Sequence, residues 1–214
     1  MAEKPLTPDP RYVAKAPRLE DAERAFDLYV QEVGRVVYAW NLLHEHLGAL
    51  FARVVGGHDS KVTMAVWYSP TNDRAQRDLL RSAVTAANSD PAWKRLPEMA
   101  RTDLLWALDR INELGSKRDD AIHAPTELDA SILKEGEMAA AILSGHRRVK
   151  NLVGKNLLTE FDFLENYAHV LRRFIQQATN ALNADNPTWP ERPKPPDRQP
   201  KKALLARRRP LPPV

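Results

Sequence analysis

Apolar residues recur every three or four positions along the first half of this chain, from about residue 17 to residue 55. Two rows hold most of them: Phe26, Val33, Trp40, Leu47 and Val54 in one, and Tyr29, Val36, Leu43 and Leu50 in the other. A repeat of about 3.5 residues is typical of helices that pack in bundles. The pattern therefore predicts one long helix, which Gly56 and Gly57 end.

The rest of the chain predicts shorter helices separated by Pro and Gly, at about 60–68, 72–88, 97–114 and 157–184. We expect Gly115 to end the helix at 97–114 and Ser116 to cap a short new helix that stops before Pro125. Residues 130–143 fit either a β-hairpin or a break between helices. The predicted fold class is all-α, an antiparallel bundle of four to five helices with a small hairpin near 130–143 as an open alternative.

Prolines mark the two ends of the chain. Residues 1–17 are rich in Pro, and nine of the last 28 residues are Pro. Such composition opposes a packed core. We predict a flexible N-terminal segment at 1–17, a helical domain at 18–184 and a disordered basic tail at 185–214.

The net charge of +4 is divided unequally between the domain and the tail. Residues 186–214 carry eight Lys and Arg against Glu191 and Asp197, a charge of +6, which leaves −2 for residues 1–185. Nucleic-acid affinity would then come from a local patch or from the tail. Mean hydropathy is −0.51, and no apolar run reaches the roughly 18 residues of a membrane helix. With no secretory signal and no cysteine, we expect a cytoplasmic protein without disulfides, thiolate zinc sites or membrane contact.

The strongest chemical candidate is the hexapeptide Arg118-Asp119-Asp120-Ala121-Ile122-His123. Arginine binds phosphate bidentately, and histidine exchanges protons near neutral pH. With 21 Arg and 6 His in the chain, about two matches to this spacing are expected by chance. The second match, Arg53 to His58, falls at the end of the first predicted helix. The polar Asp119 directly after Arg118 favours the first match.

Other polar runs carry weaker predictions. His44 and His46 point about 200° apart on a helix and cannot share a metal ion, so we predict a structural or surface role, with no metal and no cofactor. Glu45, between them, is a candidate to reach the site from the first helix. The loop residues His146, Arg147, Arg148 and Lys150 are candidates for RNA phosphate contact, the alternative being simple solvation. The basic tail fits either a nucleic-acid arm or a solubilising end.

A small helical bundle with Arg, Asp, three further residues and His on a late helix resembles the HEPN superfamily (higher eukaryotes and prokaryotes nucleotide-binding). That family's motif is Arg, four to six residues and His, commonly with Asn, Asp or His after the Arg; here these are Arg118, Asp119 and His123. The resemblance covers about residues 18–184. It implies a metal-independent endoribonuclease, often a toxin or anti-phage effector, that acts as a homodimer and has an antitoxin or other protein partner. It also includes inactive members that bind RNA, nucleotide or a partner protein.

The residues themselves favour a composite site. Arg118 and His123 lie about 140° apart around a helix, so one protomer aligns them poorly. A two-fold axis beside this helix would bring both pairs together. Asp119, one turn before His123, would orient the imidazole. His123 would then take the proton from a ribose 2′-OH while Arg118 stabilises the charge on the phosphorane.

Overall fold

The computed structural model describes residues 19–56, 60–87, 93–129, 137–140 and 146–198. Within those ranges it contains α1 (Leu19–Val54), α2 (Ser60–Tyr68), α3 (Asp73–Ala86), α4 (Ala100–His123) and α5 (Leu157–Asn183). The predicted all-α bundle is confirmed. In the described ranges, no helix combines the length and the apolar character that a bilayer crossing requires.

The predicted α1 stripe forms the centre of the core. Six of its nine residues are at most 4% exposed: Val36, Trp40, Leu43, Leu47, Leu50 and Val54. Tyr29 and Val33 pack against this core from its margin. Phe26, the first residue of the stripe, is 54% exposed, so the buried face of α1 does not include it. The heptad pattern therefore identified the buried face of α1.

The first and last helices lie side by side and run in the same direction. Tyr29 meets Phe161 near their starts, with ring centroids 5.6 Å apart. Arg53 Nε donates to Leu182 O at 3.0 Å near their ends. Antiparallel packing therefore does not hold for this pair, since a chain that reverses an even number of times returns in its original direction.

Helix α4 is antiparallel to its neighbour α5. Trp106 in the first half of α4 packs edge to face on Phe174 in the second half of α5, at 6.0 Å. Lys117 near the end of α4 lies over the ring of Phe163 near the start of α5. The C-terminal end of α4, with the candidate hexapeptide, therefore lies beside the N-terminal end of α5.

Gly115 lies inside α4, so the predicted helix break at this residue is wrong. The helix continues to His123, and Ser116 Oγ donates to Asn112 O at 3.2 Å instead of capping a new helix. A Cβ on Gly115 would lie 3.0 Å from Trp40 Cη2. The glycine is required for the close approach of α1 and not for a left-handed helix end.

This packing role predicts opposite outcomes for two helical glycines. A Cβ added at Gly34 of α1 would meet no atom within 4 Å, so Gly34→Ala should raise the free energy of unfolding by about 0.5–1 kcal/mol. Gly115→Ala should give no such gain, because the Trp40 indole would have to move. Urea denaturation of both variants measures the difference. Equal stabilisation by the two substitutions would contradict the packing role of Gly115.

A short hairpin follows α4. Strand β1 (Thr126–Asp129) pairs antiparallel with β2 (Glu137–Ala140), and Thr126 lies opposite Ala140. A strand pairing is therefore present next to 130–143, but β1 lies entirely before that region and only β2 lies within it. The link 130–136 lies outside the described residues.

Residues 184–198, which we call the C-terminal strap, lie against the bundle without regular secondary structure. Trp189 Nε1 donates to Asp103 Oδ2 at 2.9 Å, and its ring meets Phe174 at 6.5 Å. Arg192 Nε pairs with the other oxygen of Asp103 at 2.5 Å. One indole and one guanidinium thus satisfy a carboxylate that is only 4% exposed.

The far end of the strap is fixed by Arg198, which pairs with the buried carboxylate of Glu160 and lies 4.6 Å from the centre of the Phe163 ring. The prediction of disorder from residue 185 is therefore wrong for the strap. Its prolines restrict the backbone before folding, so less entropy is lost when the aromatic and charged side chains find their partners. Residues 199–214 lie outside the described part of the chain.

Candidate functional site

Arg118 lies in the last part of α4, between two carboxylates and an aromatic ring. Its NH2 is 2.6 Å from Asp119 Oδ1 and 3.7 Å from Asp73 Oδ2 of α3. Its guanidinium carbon lies 4.8 Å from the centre of the Trp40 ring. The side chain keeps 19% of its surface exposed. The guanidinium is thus oriented by its neighbours and still reaches solvent.

His123 is the last residue of α4, and its side chain is exposed. Within the described ranges, no side-chain hydrogen bond or ion pair joins it to another residue. The predicted contact from Asp119 to His123 is absent, because Asp119 pairs with Arg118. A permanently charged guanidinium attracts a carboxylate more strongly than an exposed imidazole does. The structure therefore places the predicted catalytic residues on one helix without joining the base to the other two.

A groove of about 410 Å³ borders α4 at this level, and we call it the α4 groove. Its lining consists of Ser116, Asp119, Asp120, Arg147, Arg148 and Asn151. Asn151 Nδ2 donates to Asp120 Oδ2 at 2.5 Å, which fixes the 146–151 turn against α4. Two of the four residues predicted to contact RNA therefore lie beside Asp119.

The two arginines of the turn differ in their environment. Arg147 is exposed, whereas Arg148 is half-buried, and within the described residues Arg148 NH1 is buried without a hydrogen-bond partner. The other two predicted contact residues, His146 and Lys150, are exposed on the same turn and do not line the groove. His146 Nδ1 accepts from the backbone N–H of Arg148 at 3.4 Å.

The second Arg–His match has a structural explanation. Arg53 donates from Nε and NH2 to Leu182 O, at 3.0 and 2.6 Å. This carbonyl belongs to the last turn of α5, where helical carbonyls lack an intrahelical partner and the dipole favours a cation. His58 lies outside the described residues. The tertiary contacts therefore distinguish the Arg53 match from the Arg118 match, which have the same Arg–His spacing in the sequence.

Behind Arg118 lies a polar cluster that joins α1, α3 and α4. Arg77, 5% exposed, donates from Nε to Asn112 Oδ1 at 2.6 Å, and its NH1 lies 3.0 Å from His44 Nε2. Asp73 Oδ2 accepts from Trp40 Nε1 at 2.9 Å and lies 3.5 Å from Arg77 NH1. We call these five residues the buried cluster.

The buried cluster was not predicted from the sequence, although one signal was present. Arg77 shares a helical row with Leu80 and Val84, both fully buried, so a charged residue occupies a core position of α3. Such a position requires polar partners from other helices. Those partners come from segments more than 30 residues away in the chain, His44 and Asn112, and a single helix pattern does not reveal them.

The electrostatics of the cluster keep His44 neutral. Burial and the nearby charge of Arg77 lower the pKa of His44 to about 4. The neutral ring then accepts from Arg77 at Nε2 and donates from Nδ1 to Gln76 Oε1, 3.4 Å away. Burial alone would raise the pKa of Asp73, but the hydrogen bond from Trp40 and the charge of Arg77 lower it overall.

Stability should decrease as the pH is lowered because of His44. The unfolded imidazole titrates near pH 6.5 and the folded one near pH 4, so protons bind the unfolded chain first. The contribution is complete above about pH 6.5 and is lost progressively down to about pH 4, by up to about 3 kcal/mol. Urea denaturation of His44→Gln should show a flatter pH profile than wild type. If the stability of His44→Gln changed with pH as steeply as that of wild type, this assignment would be contradicted.

The two histidines of the His44-Glu45-His46 run point toward different helices, as their spacing predicts. His44 contacts Arg77 of α3, whereas His46 Nε2 lies 3.5 Å from Arg172 NH1 of α5. Glu45 is exposed between them. Among the residues that the structure describes, no group of three or more His, Cys, Asp or Glu is arranged to hold a metal ion.

Comparison of the chain with protein-family models, with curated proteins and with solved structures finds no match. The HEPN resemblance therefore depends on the hexapeptide and on the helical architecture. The geometry around α4 is the basis on which a function can be proposed.

Proposed function

We propose that the protein is a metal-independent endoribonuclease of HEPN type that acts as a homodimeric toxin or defence effector. The observation that carries this proposal is the α4 groove. Arg147 and Arg148 line it next to Asp119, and a buried N–H of Arg148 has no protein partner among the described residues. An RNA phosphate in the groove would pair with the guanidinium groups that line it.

The chemistry assigns one role to each residue of the motif. His123 removes the proton from a ribose 2′-OH, and the 2′-oxygen attacks the adjacent phosphorus. Arg118 stabilises the charge that grows on the phosphorane. The bond from phosphorus to the 5′-oxygen breaks, and this oxygen takes a proton from water to become a hydroxyl, while the other product is a 2′,3′-cyclic phosphate. DNA, which lacks the 2′-OH, is not cut. Asp119 positions Arg118, because its Oδ1 accepts a hydrogen bond of 2.6 Å from the Arg118 guanidinium.

The placement of the two groups supports the proposed homodimer. Both lie on one continuous helix, about 140° apart around its axis, so one protomer does not aim them at the same phosphate. A two-fold axis beside the second half of α4 would place Arg118 of one protomer near His123 of the other.

Mixing inactive variants tests this composite site. Arg118→Ala and His123→Ala proteins should each fail to cleave RNA, but equal mixing after subunit exchange should restore about a quarter of wild-type activity. Half of the dimers are then mixed, and each mixed dimer has one complete site out of two. Sedimentation should show a dimer for both variants. A monomer, or no recovery in mixtures shown to contain mixed dimers, would contradict the composite site.

A second candidate is an inactive HEPN-like bundle that binds RNA, nucleotide or a protein partner such as an antitoxin. The observation that favours it is the pairing of Arg118 with two carboxylates, while His123 has no side-chain partner in the described ranges. Under this function the protein binds RNA without cutting it. The Arg118→Ala and His123→Ala variants then bind as wild type does.

A further inference from the structure

A second groove, of about 590 Å³, lies between α5 and the C-terminal strap. We call it the strap groove. Helix α5 contributes Asn166, His169, Arg172 and Arg173, and the strap contributes Pro196 and Asp197. Asn166, His169 and Arg173 recur at intervals of three and four and share one face of the helix, and Arg172 lies beside them. The proposed ribonuclease does not use this groove.

The arginines of the groove have unmet hydrogen-bonding capacity. Arg172 Nε is buried and, among the described residues, has no hydrogen-bond partner. Its NH1 has one long contact, 3.5 Å to His46 Nε2. A buried guanidinium N–H without an acceptor is destabilising, because the hydrogen bonds it made to water are not replaced. Because Arg172 lines the groove, an anionic acceptor there would give its guanidinium a charged partner.

The surrounding charges favour an anion at this point. Burial is the largest influence on the pKa of His169 and lowers it; Glu165 raises this pKa, and Arg172 and Arg173 lower it. Burial and Arg172 likewise lower the pKa of His46. One carboxylate, Asp197, shares the lining with the two arginines. The α5 side of the groove is therefore cationic, and the strap side carries a hydrogen-bond acceptor.

We propose that the strap groove binds a ribonucleotide phosphate, with the phosphate on Arg172 and Arg173 and a ribose hydroxyl on Asp197. Arginine presents paired donors that match phosphate oxygens, and a carboxylate is a suitable acceptor for ribose hydroxyls. The volume falls within the range of about 300–1,000 Å³ that small-molecule sites occupy. The phosphate can come from a free mononucleotide or from the end of an RNA chain.

The strap holds the second wall of this groove in place. Arg198, the residue after Asp197, pairs with Glu160 and lies over Phe163 of α5. The groove therefore exists only when the strap is docked, and the ligand should stabilise the docked strap by mass action.

Calorimetric titration of the full chain tests the site with three probes: inorganic phosphate, adenosine 5′-monophosphate and a 5′-phosphorylated RNA oligonucleotide in the His123→Ala background. We expect saturable nucleotide binding that Arg172→Gln weakens about tenfold or more. Arg173→Gln, at an exposed position, should weaken it as well. Arg74→Gln, at an exposed arginine of α3, is the matched control and should bind as wild type does.

The three probes separate the parts of the proposal. Asp197→Asn should weaken the nucleotide more than inorganic phosphate, and an equal effect on both would overturn the ribose contact. Binding of the oligonucleotide alone, lost in Arg172→Gln and Arg173→Gln, would identify RNA as the source of the phosphate. The site would be overturned if no probe saturated the protein at about 10 mM. It would also be overturned if folded Arg172→Gln and Arg173→Gln bound as tightly as Arg74→Gln. Since His123→Ala retains this groove, failure of the ribonuclease proposal leaves the result unaffected.

Discussion

Under the proposed ribonuclease mechanism, substituting His123 by Ala should lower RNA cleavage by about 10²–10⁴-fold, because the 2′-OH then has no base to accept its proton. Arg118→Ala should lower cleavage by about 10²–10³-fold, since the phosphorane charge loses its partner. Single-turnover assays that identify the 2′,3′-cyclic phosphate product measure both effects. The second Arg–His match supplies the matched control: His58→Ala should cleave at the wild-type rate.

Three accompanying observations would strengthen or contradict the mechanism. Cleavage should persist in EDTA, because the proposed steps use a histidine base and an arginine. Asp119→Asn should retain substantial activity, since an amide oxygen still accepts from Arg118. Its pH optimum should stay near that of wild type, because Asp119 pairs with Arg118 and not with His123. A protein that binds RNA and never cuts it, with unchanged binding in both alanine variants, would contradict the ribonuclease.

Truncation after Ala184 should destabilise the bundle, by about 3–5 kcal/mol if it behaves like the loss of a large core aromatic. The deletion removes Trp189 from Phe174, and it removes both partners of Asp103, namely the Trp189 indole and Arg192. Chemical denaturation measures the free energy of unfolding. Trp189→Ala should reproduce a large part of the loss, because the indole makes both the aromatic contact and a hydrogen bond to Asp103.

A second truncation, after Arg198, is the control. It keeps the strap and removes residues 199–214, which hold five Lys or Arg and no Asp or Glu. The free energy of unfolding should then match that of the full chain, while RNA binding should weaken and depend less on salt. Equal stability for the truncation after Ala184 would mean that the strap does not support the bundle. Unchanged RNA affinity after the shorter truncation would assign the tail a solubilising role.

Periodicity predicted the helices well where the pattern is local. The boundaries of α1 and α5 follow from apolar spacing and capping, and these depend on residues a few positions apart. Gly115 was misread because a glycine that allows close packing and a glycine that ends a helix are identical in sequence. The distinction depends on Trp40, 75 positions earlier in the chain.

The strap shows the same limit at the level of composition. Nine prolines in the last 28 residues argue against a packed segment. A prediction from proline content does not take into account the contacts that a single tryptophan can make. Trp189 nevertheless finds Asp103, 86 positions away, and Phe174 on the neighbouring helix. Burial of one aromatic ring and neutralisation of two buried carboxylates are interactions that exist only in the folded chain.

The sequence by itself determined the helical class, the extent of the first and last helices, the exclusion of disulfides and the position of the Arg118–His123 pair. Those features follow from residue type and short-range spacing. Only the tertiary structure decided that Asp119 orients Arg118 and that Arg53 binds a helix end. It also decided that Arg147 and Arg148 border the candidate site and that the strap forms a second groove with α5. Each of these depends on which side chains meet across the bundle, where burial and competing charges select among partners that are distant in the chain.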